Sequence, residues 1–128
     1  MLTVPPHSLL VLCGPAGCGK SSFARRYFRE TEVVSSDRCR AFVADDEANQ
    51  AISREAFILL RTLVRLRLRL KRLTVVDSTA LQLRHRRSMV RLGRFFGASV
   101  IAVLFDISAE TCKERNRRRG RRVPEDVI

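Results

Sequence analysis

The sequence predicts an α/β domain in which helices cover both faces of a parallel β-sheet. Four short apolar segments alternate along the chain with longer segments of helical periodicity. Strands that alternate with helices in this way form parallel sheets with helical crossovers. The chain has 128 residues, and single hydrophobic cores usually span about 50–200 residues. We therefore expect one three-layer sandwich over residues 1–128.

The first half of the chain predicts two strands and two helices. Leu9–Cys13 is a continuous apolar run that ends at a glycine, which is typical of a strand buried on both faces. A helix is predicted over Lys20–Arg29, and a second short strand over Val33–Ser36, ending at Asp37. Arg38–Ala44 predicts a short helix, which an acidic polar loop follows.

The second half opens with a segment whose periodicity is ambiguous. Apolar residues repeat at helical spacing from Ser53, but Arg65–Leu70 alternates at period two, as a half-buried strand would. We expect a helix throughout, because no Gly, Pro or turn residue interrupts the segment and both Arg and Leu favour helices. The remaining predicted elements are a strand at 73–77, a helix at 82–96, a buried strand at 99–105 and a helix at 109–119.

A glycine-rich segment after the first strand matches the pattern GxxxxGK[ST] without a gap. Glycines let backbone N–H groups turn toward phosphates, and the following helix presents its positive end. The strand before the motif and the helix after it favour a P-loop over a glycine-rich turn that binds nothing. The residues predicted to hold ATP or another NTP are Gly14, Pro15, Ala16, Gly17, Cys18, Gly19, Lys20, Ser21 and Ser22. Lys20 would neutralise the β and γ oxygens, and the Ser21 hydroxyl would bind Mg²⁺.

Two aspartates follow predicted strands. Asp37 could accept the proton of a hydroxyl that attacks phosphorus, and Arg40, one helical turn later, could bind a phosphate of the acceptor. The alternative is that Asp37 caps a helix and Arg40 lies on the solvated surface. Asp77 is a candidate Mg²⁺ ligand, directly or through water, or a structural residue of the strand-end network.

The highest density of positive charge lies after the fourth predicted strand, over Arg115–Arg122. Arginines from a mobile lid at about 112–123 would stabilise charge on the reacting phosphates and exclude water. A segment that attracts nucleic acid or merely increases solubility is the alternative. Other arginines lie on helices, and we expect most of them to be solvated.

The composition favours polyanionic partners, since the formal net charge is +12. The four cysteines form no CxxC pair, which indicates reduced, unreactive thiols. No signal peptide and no apolar stretch of about 20 residues is visible, so we expect a cytoplasmic protein without membrane contact. The segment from Pro124 is typical of a helix start, and we expect the domain to continue beyond Ile128.

Together these segments resemble the kinase domain of bacterial polynucleotide kinase-phosphatase. The resemblance rests on the P-loop, TEVVSSD at 31–37, Cys39-Arg40, DDE at 45–47, LTVVD at 73–77 and ERNR at 114–117. It covers nearly the whole chain in order and spacing. It implies a 5′-hydroxyl kinase that acts on DNA or RNA ends during end healing, in a chain that can also carry phosphatase and ligase modules.

The resemblance also implies roles for individual residues. Lys20 and Ser21 match the phosphate and Mg²⁺ residues, Asp37 the general base, and Arg40 the arginine on the acceptor phosphate. Arg115, Arg119 and Arg122 match the lid arginines that hold the ATP phosphates. One departure is Ala80, where family members often have Asn. A second is the lack of the later elements of the sheet, so we expect weak ATP binding, pairing into a homodimer through an open edge, or inactivity.

Two other functions remain open from the residues. A P-loop kinase of a small metabolite or antibiotic would have a small enclosed acceptor pocket. A truncated, non-catalytic binder of nucleotides or nucleic acid would bind oligonucleotides with a steep salt dependence and no turnover.

Overall fold

The computed structural model describes residues 4–15, 17, 19–46, 50–78 and 83–105. The strands are β1 (Ser8–Cys13), β2 (Val33–Ser35), β3 (Thr74–Asp77) and β4 (Ser99–Leu104). The helices are α1 (Lys20–Tyr27), α2 (Ser36–Ala44), α3 (Ser53–Arg69) and α4 (Leu83–Phe95). Short 3₁₀ turns at 30–32 and 50–52 precede β2 and α3.

The four strands form one parallel sheet in the order β2-β3-β1-β4. The register places Leu12 of β1 opposite Asp77 of β3, and Ser35 of β2 opposite the same aspartate. The carboxyl ends of β1, β2 and β3 therefore lie side by side at one edge of the sheet, where parallel sheets bind ligands. The predicted parallel α/β fold is confirmed.

The hydrophobic core consists of two layers, one on each face of the sheet. Leu10 and Leu12 of β1 pack with Ala24 of α1 in one layer, whereas Leu9 and Val11 pack with residues of α2, α3 and α4 in the other. Alternate residues of a strand point to opposite faces, so a strand that is apolar at every position can bury both. Each fully buried Leu or Val contributes about 1.5–3 kcal/mol. The predicted three-layer arrangement follows from this packing.

The ambiguous segment at 65–70 is helical, as predicted, and lies at the carboxyl end of α3. Leu60, Val64 and Leu68 are fully buried at intervals of four residues, whereas Leu66 and Leu70 are exposed. The helix therefore buries only one leucine of the alternating Arg-Leu run. Arg67 connects this helix to the chain that follows it, because its Nη2 donates to the carbonyl oxygen of Leu73 at 2.7 Å.

The boundary between β2 and α2 differs from the prediction. The second strand ends at Ser35 rather than at Ser36, and Asp37 lies in the first turn of α2. Ser35 is the N-cap residue, and its hydroxyl accepts a hydrogen bond from the backbone N–H of Arg38 at 3.4 Å. A serine at this position satisfies one of the amides that a helix leaves without a partner.

The fourth strand is less buried than predicted. Within the described residues β4 lies at one end of the sheet, and each of its residues is exposed or half-buried, with Leu104 77% exposed. An apolar sequence alone does not separate an end strand from a central one. The helix predicted at 109–119 and the lid predicted at 112–123 lie outside the described residues. Across the ranges that are described, no helix combines the length and apolar character needed to cross a bilayer.

Candidate functional site

The loop between β1 and α1 folds around the side chain of Lys20. Gly17 and Gly19 adopt φ values of 82° and 100°, which side-chain-bearing residues rarely reach. Lys20 is only 3% exposed, and its Nζ donates to the carbonyl oxygens of Gly14 and Pro15, the latter at 3.0 Å. The ammonium group therefore lies inside the loop. Ala16 and Cys18 of the predicted phosphate loop are outside the described residues.

The amino end of α1 begins in this loop. Gly19 is the N-cap residue, and among the described residues no side chain forms a capping hydrogen bond there. The first amides of a helix lack partners within the helix and carry partial positive charge. Amides of this kind together with a buried ammonium group suit the oxygens of a phosphate chain.

The loop is tied to the sheet by a hydrogen bond between Ser21 and Asp77. Ser21 Oγ donates to Asp77 Oδ2 at 2.7 Å, and Asp77 is the buried last residue of β3. Hydroxyl and carboxylate oxygens are donors that Mg²⁺ prefers. In the described ranges, no group of three His, Cys, Asp or Glu side chains could hold a metal ion. A Mg²⁺ ion here would therefore take its other ligands from phosphates and water, as nucleotide-bound Mg²⁺ does.

Asp37 and Arg40 form an ion pair on α2. Arg40 Nη1 lies 3.3 Å from Asp37 Oδ1, and Arg40 Nη2 donates to Ser53 Oγ of α3 at 3.3 Å. Arg40 is only 2% exposed, and its Nε has no hydrogen-bond partner in the described part of the chain. The alternative of a capping Asp37 and a solvated Arg40 is wrong, because Ser35 caps α2 and Arg40 is buried.

One cleft brings three of the predicted residues together. It is open, has a volume of about 700 Å³, and is lined at the carboxyl edge of the sheet by Ser21, Asp37 and Asp77. The carboxylate of Asp37 therefore faces the same space as the serine that follows the loop lysine. A carboxylate in this position is within reach of a hydroxyl group that approaches the loop.

The cysteines of the described ranges are not part of this chemistry. Cys39 on α2 is buried, and burial raises the pKa of its thiol despite the lowering effect of Arg38 and Arg40. Cys13 is half-buried at the end of β1 and donates from Sγ to the carbonyl oxygen of Val11 at 3.6 Å. A thiol that stays protonated is a poor nucleophile. The other two cysteines lie outside the described residues.

Sequence reasoning located the loop and both aspartates but missed several residues of the site. Ser53 was not identified because its contact with Arg40 joins residues 13 positions apart. Arg25 and Arg38 also line the cleft, and no sequence motif singled them out. The predicted lid arginines Arg115, Arg119 and Arg122 lie outside the described residues. Ser22, also predicted to bind phosphate, is exposed on α1 and accepts a hydrogen bond from Arg25 at 3.4 Å.

Comparison with known proteins identifies relatives of this arrangement. A family model described as an AAA domain matches residues 9–128. A chain of the Pnkp1/Rnl/Hen1 RNA repair complex is 25% identical with a TM-score of 0.75, and the match covers 98% of this chain and 42% of that one. A chain from a second structure of the Pnkp1/Rnl/Hen1 complex is also 25% identical, with a TM-score of 0.71 over 89% of this chain and 40% of that one. The protein thus spans about two-fifths of the length of these chains.

A third similarity concerns the fold alone. The APS kinase CysC of Mycobacterium tuberculosis, in complex with AMPPNP and APS, is 21% identical with a TM-score of 0.60. The match covers 88% of this chain and 69% of that kinase. The overall α/β fold is therefore shared with this kinase.

Proposed function

We propose that this chain, which belongs to the AAA domain family, is a polynucleotide 5′-hydroxyl kinase. It transfers the γ-phosphate of ATP to 5′-OH ends of DNA or RNA. The observation that carries this proposal is the position of Asp37. Asp37 is paired with Arg40, and it lines the same cleft as Ser21, at the end of the phosphate loop, and Asp77, at the end of β3. A proton acceptor beside a phosphate loop is the arrangement that transfer to a hydroxyl requires.

The donor half of the site is the loop from Gly14 to Ser22. The amides at the start of α1 would bind the phosphates of ATP, and Lys20 would exchange its two carbonyl contacts for phosphate oxygens. Ser21 and Asp77 would hold Mg²⁺, which neutralises charge on the β- and γ-phosphates. The hydrogen bond between these two residues already places both oxygens at one point of the cleft.

The acceptor half of the site is the Asp37–Arg40 pair. The 5′-OH would donate its proton to the Asp37 carboxylate as its oxygen bonds to the γ-phosphorus. The bond between that phosphorus and the bridging oxygen of ADP breaks in the same transfer, and ADP leaves. Arg40 orients Asp37 through their ion pair, and the proposal places a phosphate of the acceptor strand beside the Arg40 guanidinium.

Two further observations support a polynucleotide over a small acceptor. The net charge of +12 attracts polyanions, and the structures of 25% identity come from a complex described as an RNA repair complex. We propose that Arg115, Arg119 and Arg122 act from a lid on the ATP phosphates. The same proposal includes phosphatase and ligase modules, on the same chain or on partners, and a homodimer.

The decisive experiment is a transfer assay with γ-labelled ATP and two oligonucleotides of the same sequence, one with a 5′-OH and one already 5′-phosphorylated. Label should move only to the 5′-OH oligonucleotide. Asp37→Asn should reduce the rate by about 10²–10⁴-fold, the range that general acid–base catalysis contributes, while ATP binding remains. Asp45→Asn is the matched control, since Asp45 is exposed at the other end of α2. Transfer to a small alcohol but not to either oligonucleotide would identify a metabolite kinase instead.

A further inference from the structure

The cleft at the site extends well beyond the reacting groups. From Ser21 and Asp37 it continues between α1 and the adjoining residues of β2 and α2, with Ala24, Phe28 and Val33 among its lining residues. Its volume of about 700 Å³ lies within the range of about 300–1,000 Å³ typical of sites for whole small molecules. The cleft as a whole therefore has room for more than the hydroxyl group that reacts.

Two arginines contribute positive charge to this extension, one from each side. Arg25 lies on α1, where its Nη2 donates to Ser22 Oγ at 3.4 Å. Arg38 lies on α2, and its side chain is 45% exposed. Guanidinium groups bind phosphate oxygens through paired hydrogen bonds. Two of them above an apolar lining suit a strand whose phosphates are charged and whose sugars and bases are largely apolar.

Glu30 supplies a carboxylate to this part of the lining, and it contacts Arg38. The Arg38 Nη2 atom lies 3.4 Å from Glu30 Oε1, and the Arg38 guanidinium also lies 5.8 Å from the centre of the Phe42 ring. The Glu30 side chain is 82% exposed, and exposed ion pairs of this kind contribute little to stability. Arg38 can therefore exchange this carboxylate for a phosphate at small cost.

We propose that Arg25 and Arg38 bind the second phosphate of the acceptor strand, one nucleotide beyond the phosphate that Arg40 contacts. This inference rests on the proposed 5′-kinase function and deepens it. The site then recognises a strand of at least three nucleotides rather than a single nucleotide. Glu30 competes with that phosphate for Arg38 and so weakens acceptor binding.

The test compares acceptors that either contain or lack the second phosphate. A trinucleotide with a 5′-OH contains it, and a nucleoside 3′-phosphate does not. In the Arg25→Ala/Arg38→Ala variant, kcat/KM for the trinucleotide relative to the nucleoside 3′-phosphate should fall by about tenfold or more, because two charge-assisted contacts are lost. The change should appear in KM for the trinucleotide. Glu30→Gln should raise the ratio of kcat/KM for the trinucleotide to kcat/KM for the nucleoside 3′-phosphate by a few-fold, because it removes the carboxylate that competes for Arg38.

The control variant removes two arginines that do not line the cleft, Arg26 on α1 and Arg54 on α3, both of which are exposed. Arg26→Ala/Arg54→Ala loses the same charge and should leave the ratio within about twofold of the wild type. The salt dependence gives a second readout. Loss of the contacts to this one phosphate should lower the slope of log KM against log salt by about 0.7, the value for one neutralised phosphate on a single strand.

Two results would overturn the inference. One is a trinucleotide preference in Arg25→Ala/Arg38→Ala that equals that of the control variant. The other is an equal loss for both acceptors, since this would place the arginines at the reacting nucleotide. If the wild type transfers phosphate to no 5′-OH acceptor, the proposed function fails instead. Fluorescence anisotropy with a labelled 5′-OH trinucleotide still decides the inference then, because the Arg25→Ala/Arg38→Ala variant should bind it about tenfold more weakly than the control variant.

Discussion

Replacement of Gly93 by alanine tests how closely α4 packs on the sheet. A Cβ atom at Gly93 would lie 2.2 Å from Val100 Cγ2 of β4, about 1.3 Å closer than carbon atoms normally approach. Val100 is β-branched and has few rotamers with which to withdraw, so α4 must move away from β4. Overpacking costs about 1–3 kcal/mol, and the higher helix propensity of alanine offsets about 1 kcal/mol of that.

A contact as short as 2.2 Å corresponds to the upper end of the overpacking range, about 3 kcal/mol, so the expected net loss for Gly93→Ala is about 2 kcal/mol of the free energy of unfolding. For a chain of 128 residues this lowers Tm by about 8 °C. Thermal unfolding followed by circular dichroism measures the shift, and urea unfolding should show a lower midpoint with an unchanged m value. In a protein that already carries Val100→Ala, Gly93→Ala should cause no further loss, because that change removes the methyl group that the new Cβ would meet.

Gly97→Ala provides the matched control on the same connection. Gly97 has φ +72°, and a Cβ atom added there would meet no heavy atom within 4 Å, so its replacement costs about 1–2 kcal/mol through backbone strain alone. This cost should be the same with Val100 or with alanine at position 100. A Gly93→Ala protein as stable as the wild type, or a loss that persists with Val100→Ala, would refute the packing argument.

Two further predictions concern Arg67, which is half-buried, and Cys39, which is buried. Arg67→Ala should lower the free energy of unfolding by about 1.5–3 kcal/mol, because it removes a charge-assisted hydrogen bond to the carbonyl of Leu73; Arg65→Ala, an exposed change on the same helix, should stay within about 0.5 kcal/mol in urea unfolding, and equal losses would contradict this. Burial raises the folded-state pKa of the Cys39 thiol, so its stabilisation should be complete below about pH 8.5, the unfolded value, and be lost as pH rises through the folded value. Urea unfolding between pH 7 and 10 should show a steeper decline for the wild type than for Cys39→Ala, and parallel declines would count against it.

The phosphate loop and the sheet could be predicted because their determinants are local. A loop that turns amides toward phosphate needs glycines at fixed spacing, and Gly17 and Gly19 adopt the positive φ values that only glycine reaches easily. Strands that are apolar at every position indicate a sheet covered on both faces. The resemblance to a polynucleotide kinase domain, inferred from short segments, is confirmed by the matched family and by the structures of 25% identity.

Burial at the ends of elements was harder to predict. The apolar strand at 99–105 was expected to be buried, yet β4 is half-exposed because it lies at one end of the described sheet. Strand order depends on contacts between distant segments, and the sequence of one strand does not encode its neighbours. The start of α2 was predicted two residues late, at Arg38 instead of Ser36, although the serine that caps it is a local signal.

The sequence by itself determined the phosphate loop, the α/β class and the place of Asp37 and Asp77 near the carboxyl ends of two strands. Each of these depends on residues that are close together in the chain. Only the tertiary structure decided that Asp37 faces the same cleft as Ser21, that Arg40 is buried against Ser53, and that Arg25 and Arg38 line one cleft. These relations join residues on different strands and helices. Their distances are fixed by how the helices pack on the sheet, which is a property of the whole core rather than of any segment.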